Sequence, residues 1–119
     1  MKKEDQSIAL GARQYTFTLP NGLRIVCEER PADVLYCGYI VKAGTRHEEE
    51  ADSGLAHFLE HLSFKGTARR RSWQITNGLE RVGGDLNAFT NKQETAFTAI
   101  VLREDFTRAA DLLTDIVFR

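Results

Sequence analysis

The segment Gly54-Leu55-Ala56-His57-Phe58-Leu59-Glu60-His61-Leu62-Ser63-Phe64 contains the pattern HxxEH, two histidines and a glutamate within five positions. On a helix His57, Glu60 and His61 stand at i, i+3 and i+4, and at about 100° per residue they fall within roughly one third of the circumference. Two imidazoles one turn apart can reach a single zinc ion at about 2.0 to 2.1 Å, leaving positions for a carboxylate and a water. Zinc lowers the pKa of such a water, and a glutamate beside the ligands is placed to take its proton as it attacks a carbonyl and to pass it to a leaving amine. The chemistry is peptide-bond hydrolysis, with His57 and His61 as ligands and Glu60 as general base. With three histidines in the chain, chance gives HxxEH in about six sequences per thousand of this composition. The bland alternative is hydrogen bonding at a helix surface, which histidine readily accommodates.

The helix holding the trio is expected over Gly54 to Phe64, capped by Ser53 or Asp52, with Gly66 in a left-handed position past its end. Leu55, Phe58, Leu59 and Leu62 gather on the opposite side of the wheel, so an apolar stripe is expected to anchor the helix while the polar trio looks into a cleft. Upstream, Tyr15, Phe17 and Leu19 alternate with threonines, Pro20-Asn21-Gly22 supplies a turn, and Leu23, Ile25 and Cys27 alternate again: a β-hairpin. The continuous apolar run Val34 to Ala43, ended by Gly44, reads as a strand covered on both faces. The acidic stretch Thr45 to Asp52, with Glu48, Glu49 and Glu50 in a row, reads as solvated loop. Arg69, Arg70 and Arg71 could grip phosphate, but no aromatic residues interleave them, and a solvated loop is preferred. Ser72 caps a second helix bearing Ile75, Leu79 and Val82 and ending at Gly83-Gly84. Leu86 to Thr90 and Thr95 to Leu102 pair around Asn91-Lys92, and Phe106, Ala109, Ala110, Leu113, Ile116 and Val117 form the stripe of a last helix.

At 119 residues, 42% hydrophobic and 28% charged, the chain is globular and has the length of one domain or a piece of one. A net charge of −1 provides no broad footprint for nucleic acid. The longest apolar run, Val34 to Val41, is far short of the roughly 18 residues of a membrane span. The N-terminus has only Ile8 to Leu10 as an apolar stretch, too short for a signal peptide, so a cytoplasmic location is expected, or a periplasmic or organellar one if a leader was removed. Cys27 and Cys37 read as small buried hydrophobes rather than as a disulfide or metal framework. The last helix carries no stop signal, and the chain is expected to be the N-terminal portion of a longer protein.

GLAHFLEHLSFKGT followed by GGDLNAFTNKQETAF, together with the LPNGLRIV hairpin turn and the closing RAADLLTDIVF helix, resembles the inverzincin family of pitrilysin, insulysin and the mitochondrial processing peptidases. The resemblance implies an α+β fold, a largely antiparallel sheet with helices packed on it. Residues 1–13 would be a flexible tail, and 14–119 the first part of a peptidase domain. It carries zinc ligation onto His57 and His61 and general-base catalysis onto Glu60. It also sets Asn87, Ala88 and Phe89 on an edge strand that pairs with substrate backbone; for Asn87 the competing role is a hydrogen bond beside a turn. The third zinc ligand is then a glutamate beyond Arg119, with Glu94 either hydrogen-bonded to a ligand or solvated, and His47 a bystander. The 119 residues alone would bind zinc weakly and hydrolyse little. The activity implied is a zinc-dependent endopeptidase acting on peptides or unfolded proteins, its cavity closed by a second homologous domain or subunit. The rival is a non-catalytic peptide-binding or partner subunit, though the intact trio argues against it. HxxEH alone would also fit hydrolysis of a small molecule, while the NAFT strand favours peptides.

Overall fold

The computed structural model describes residues 3–8 and 12–119, in two compact units, Met1–Ala32 and Asp33–Arg119. The first holds an antiparallel sheet of β1 (Lys3–Ile8), β2 (Ala12–Thr18) and β3 (Arg24–Glu29) in that order. The expected hairpin is β2 and β3, with Tyr15 opposite Cys27 and Phe17 opposite Ile25. Its turn is closed by the Gly22 N–H donating to the Leu19 carbonyl at 2.9 Å and the Leu23 N–H to Asn21 Oδ1 at 3.1 Å. Of the tail expected over residues 1–13, residues 1, 2 and 9–11 lie outside the described ones, while Lys3–Ile8 pairs with β2. Cys27 is exposed, not buried as expected, because successive β3 residues face opposite ways and every one of them is exposed.

The second unit is built on an antiparallel sheet ordered β4 (Val34–Val41), β6 (Thr95–Leu102), β5 (Asp85–Thr90). Alternation along β6 sends Phe97, Ala99 and Val101 to one face. There they pack with Ile75 and Leu79 of α2 (Ser72–Glu80) and with Ala109, Leu112, Leu113 and Ile116 of α3 (Phe106–Phe118) to form the core. Each of the Phe, Val, Ile and Leu side chains among them contributes roughly 1.5–3 kcal/mol by leaving water, so this α2–α3–sheet sandwich is the stable centre of the unit. Leu112 belongs to the α3 stripe, and Phe106, expected in it, is exposed at the first turn. Tyr39 of β4 reaches the same layer: Thr114 Oγ1 donates to the Ala110 carbonyl at 2.7 Å, leaving its oxygen to accept from the Tyr39 hydroxyl at 2.9 Å. Cys37 also faces this layer, and burial pushes its thiol pKa up.

Two expectations about coverage are corrected. β4 is covered on one face only: Leu35, Cys37 and Tyr39 pack against the core, whereas Tyr36 and Ile40, on the other face, are 76% and 66% exposed. The apolar run reflects a strand that the described residues cover on a single side. The arginine loop is not simply solvated either. Arg70 is drawn in by Asp111 and by Asp115, which is fully buried on α3, and Thr67 Oγ1 donates to Asp115 Oδ2 at 2.7 Å. This cluster pins the α1–α2 connection, where α1 is Leu55–Ser63, to the last turns of α3.

Candidate metal and catalytic site

Helix α1 begins just after Gly54, and its first turn is capped from a distance. One carboxylate oxygen of Glu48 accepts the Gly54 N–H at 2.8 Å and the other accepts the Ala56 N–H at 2.7 Å. Neither Ser53 nor Asp52 supplies the expected cap: Gly54 stands between them and the helix, and Asp52 lies in a short 3-10 turn, Glu50–Asp52. The Glu48 side chain therefore supplies acceptors for otherwise orphaned amides and negative charge at the positive end of the helix. Gly66 is not the residue closing α1; Phe64 is, its N–H donating to the His61 carbonyl, while Gly66, at φ +148°, bridges to Arg71.

The expectation that α1 is anchored by its apolar stripe is overturned. Leu55, Phe58, Leu59 and Leu62 are 43 to 57% exposed, while Glu60, on the polar face, is 7% exposed. Of the polar trio Glu60 is the one laid against β5, where Thr90 Oγ1 donates to Glu60 Oε2 at 2.5 Å, whereas His57 and His61 are exposed. A hydrogen bond to a charged acceptor contributes about 1.5–3 kcal/mol, so the carboxylate is received where it is buried.

His57 and His61 project from the same face. Their Nε2 atoms are 2.8 Å apart and the rings meet edge-on, with centroids 4.4 Å apart and an interplanar angle of 85°. Two nitrogens bound tetrahedrally to one zinc at about 2.0–2.1 Å lie about 3.3 Å apart, so the pair needs to open by only about half an ångström to share an ion. Glu60 Oε2 lies 4.0 Å from His57 Nδ1. The donor chemistry, two imidazole nitrogens facing one point with a carboxylate alongside, suits zinc. Among the described residues no group of three His, Cys, Asp or Glu side chains could hold a metal ion, so the fit is to two protein ligands.

The remaining candidates fall around this helix without joining the histidines. Asn87, Ala88 and Phe89 lie on β5, at the edge of its sheet and beside α1; Asn87 Oδ1 accepts the Ala88 N–H at 2.9 Å. Glu94 sits in the β5–β6 turn, its N–H donating to Asn91 Oδ1 at 2.8 Å. His47 accepts the Gly44 N–H through Nδ1 at 3.1 Å. Gly44 is packed so closely on that turn that a Cβ there would meet the backbone nitrogens of Gln93 and Glu94 at 2.7 and 2.6 Å, which locks the loop ahead of α1 onto the β5–β6 hairpin.

Sequence reasoning missed Thr90, Thr95 and Glu48. For the threonines a signal existed: alternation puts Thr90 on the face of β5 that carries Leu86 and Ala88, and a hydroxyl there needs a partner. Glu48 carried no such signal, since a cap supplied from six residues ahead of the N-cap position matches no local pattern.

A protein-family model described as Insulinase (Peptidase family M16) matches residues 24–119. Among curated relatives, an uncharacterised zinc protease of Mycobacterium leprae is 43% identical over 116 residues, covering 97% of this chain and 26% of the relative. The mitochondrial-processing peptidase subunit beta of Caenorhabditis elegans is 39% identical over 100 residues, 84% of this chain and 22% of the relative. The ubiquinol-cytochrome-c reductase complex core protein I of Euglena gracilis, a mitochondrial protein, is 41% identical over 99 residues, 83% and 20%. The crystal structure of a protease from Helicobacter pylori matches with a TM-score of 0.83 at 28% identity, over 87% of this chain and 25% of that one. The chain thus spans about a fifth to a quarter of the length of these relatives. The α+β architecture agrees with the solved protease, and with the family model covering most of the sequence, this chain belongs to the insulinase family of peptidases, family M16.

Proposed function

We propose that the full-length protein is a zinc-dependent endopeptidase and that this chain contributes His57 and His61 as metal ligands and Glu60 as general base. The observation that carries the reading is the convergence of the two Nε2 atoms, 2.8 Å apart, beside a glutamate carboxylate on the same helix. Zinc, when bound, supplies a Lewis acid that polarises a carbonyl and lowers the pKa of water. What the chain's own residues do follows from their chemistry. His57 and His61 would hold the ion as imidazole ligands. Glu60 accepts a proton from water and returns it to the departing amine. Its near-complete burial keeps bulk water from competing for that carboxylate.

An extended peptide is the substrate this arrangement suits, as a strand added to the edge of β5 along Asn87, Ala88 and Phe89. The third protein ligand is a side chain outside these 119 residues, and a second homologous domain or subunit closes the cavity over peptide or unfolded protein. Glu94 acts through a hydrogen bond to one of the ligands and not as a ligand itself. A non-catalytic partner-subunit role is the second reading, supported by the relative named as core protein I of the ubiquinol-cytochrome-c reductase complex. Among the described residues no helix is long and apolar enough to cross a membrane; the cytoplasmic location read from the N-terminus is checked by cell fractionation.

Substituting Glu60→Gln in the full-length protein separates the readings. Peptide turnover is expected to fall at least 100-fold, the lower end of what a positioned base contributes, with zinc retained. Undiminished turnover in the variant refutes the assigned base, and zinc-loaded wild-type protein that binds peptides without cleaving them establishes the subunit reading.

A further inference from the structure

We propose that Thr90 is a positioning residue for Glu60, and that through it the strand offered to the peptide also aims the base. The inference rests on the reading of Glu60 as general base. Three observations carry it. Thr90 Oγ1 is 2.5 Å from Glu60 Oε2. A hydroxyl has one proton and a carboxylate only accepts, so in this contact Thr90 is the donor; the neighbouring Thr95 hydroxyl, whose own proton goes to the Ala43 carbonyl at 2.8 Å, lies 3.5 Å from Thr90 Oγ1, too far to compete for it. Both threonines are sheltered, Thr95 buried at the start of β6 directly opposite Thr90 in the register. The Thr90 proton is thereby directed to Oε2, which fixes the carboxylate plane and leaves Oε1 as the oxygen that meets water.

Placement adds a consequence. Thr90 is the last residue of β5 and follows Asn87, Ala88 and Phe89, so a peptide seated on that strand and the carboxylate that serves its scissile bond are referenced to the same four-residue stretch of backbone. Removing the hydroxyl should leave peptide pairing intact and let Glu60 swing, lowering kcat rather than raising KM. Such supporting hydrogen bonds are worth about 10- to 100-fold in activity where they orient a site.

The test uses the full-length protein with Thr90→Val, near-isosteric without the proton, Thr90→Ser, which restores it, and Thr90→Cys as a second compact variant with a weaker donor should the valine fail to fold. Zinc stoichiometry and thermal midpoint are measured beside kcat and KM, with Glu60→Gln as the control. The expected result is a 10- to 100-fold loss of kcat in Thr90→Val with KM within about twofold, an intermediate loss in Thr90→Cys, recovery to within about threefold in Thr90→Ser, and zinc content unchanged throughout. Full kcat in Thr90→Val, a loss confined to KM, or equal losses in valine and serine variants would overturn the assignment. If Glu60→Gln abolishes turnover while Thr90→Val does not, only the positioning role is lost; if Glu60→Gln is itself active, the general-base reading beneath it fails.

Discussion

Asp115 is the residue on which the ordering of the α1–α2 connection turns. Burial alone would raise its pKa, but hydrogen bonds from Thr67 and Arg70 and the charges of Arg70 and Arg119 outweigh that and hold the carboxyl below its ordinary value. Arg70 shows the mirror image: burial lowers its pKa, and the bonds and charges of Asp115 and Asp111 more than restore it. Oδ2 takes both donated bonds, and among the described residues Oδ1 makes none. Removing one partner of a buried pair costs more than the pair is worth, about 3–5 kcal/mol in closed sites; with the Arg70 side chain still one quarter exposed, Asp115→Asn is expected to cost about 2–4 kcal/mol, read by urea unfolding at pH 7. The pH dependence has a definite sign. The folded-state pKa lies below the unfolded value of about 3.9, so the stabilisation is present in full above that pH and disappears as pH falls through the folded value. The gap between wild type and Asp115→Asn should therefore narrow in acid, and a gap that stays constant down to pH 2 would rule out the ionised pair as its source.

At the scale of elements, α1 is a nine-residue helix, too short to persist in water on its own propensity. It depends on Glu48 at its start and on β5 beneath Glu60. Losing such a cap costs about 1 kcal/mol, so Glu48→Ala is expected to speed amide exchange at Gly54 and Ala56 by about fivefold, with α2 and α3 unaffected; unchanged exchange would show that the cap is idle. The helix also marks the limit of what its sequence discloses. The period of 3.6 correctly divides Leu55, Phe58, Leu59 and Leu62 from His57, Glu60 and His61, but a helical wheel says which residues share a face and not which face the rest of the chain will cover. Here Glu60 alone of that trio is covered, since a carboxylate meeting a threonine hydroxyl can be buried, while the two histidines are exposed and the stripe faces no described element. The hairpins β2–β3 and β5–β6 were legible because turn residues and alternation act between neighbours; the Glu48 cap was not, because its spacing matches no capping pattern, nor was the Asp115 cluster, whose partners lie 45 and 48 residues from Asp115 and meet it only once the fold has brought distant segments together.

For the whole molecule, the family was readable from one short helix and its flanks, and the two histidines proposed as ligands do converge there, while the completion of the site was not readable, because the described residues hold two converging imidazoles and no third metal-binding side chain beside them. Calorimetry with zinc is expected to find weak binding to the 119-residue chain and tight binding to the full-length protein, abolished in both by His61→Ala; equal affinity in the two would place all the ligands within this chain. A mechanical consequence belongs to the uncovered stripe on α1. Histidine tips and leucine tips ride on one cylinder, about 5–6 Å from its axis. Seating the stripe against a neighbour by a roll of about 20° sweeps a tip through about 2 Å, the length of a zinc–nitrogen bond. Whatever surface grips those four apolar residues therefore works as a wrench on the opposite side of the rod, swinging His57 and His61 together about the helix axis without touching either and without altering the distance between them.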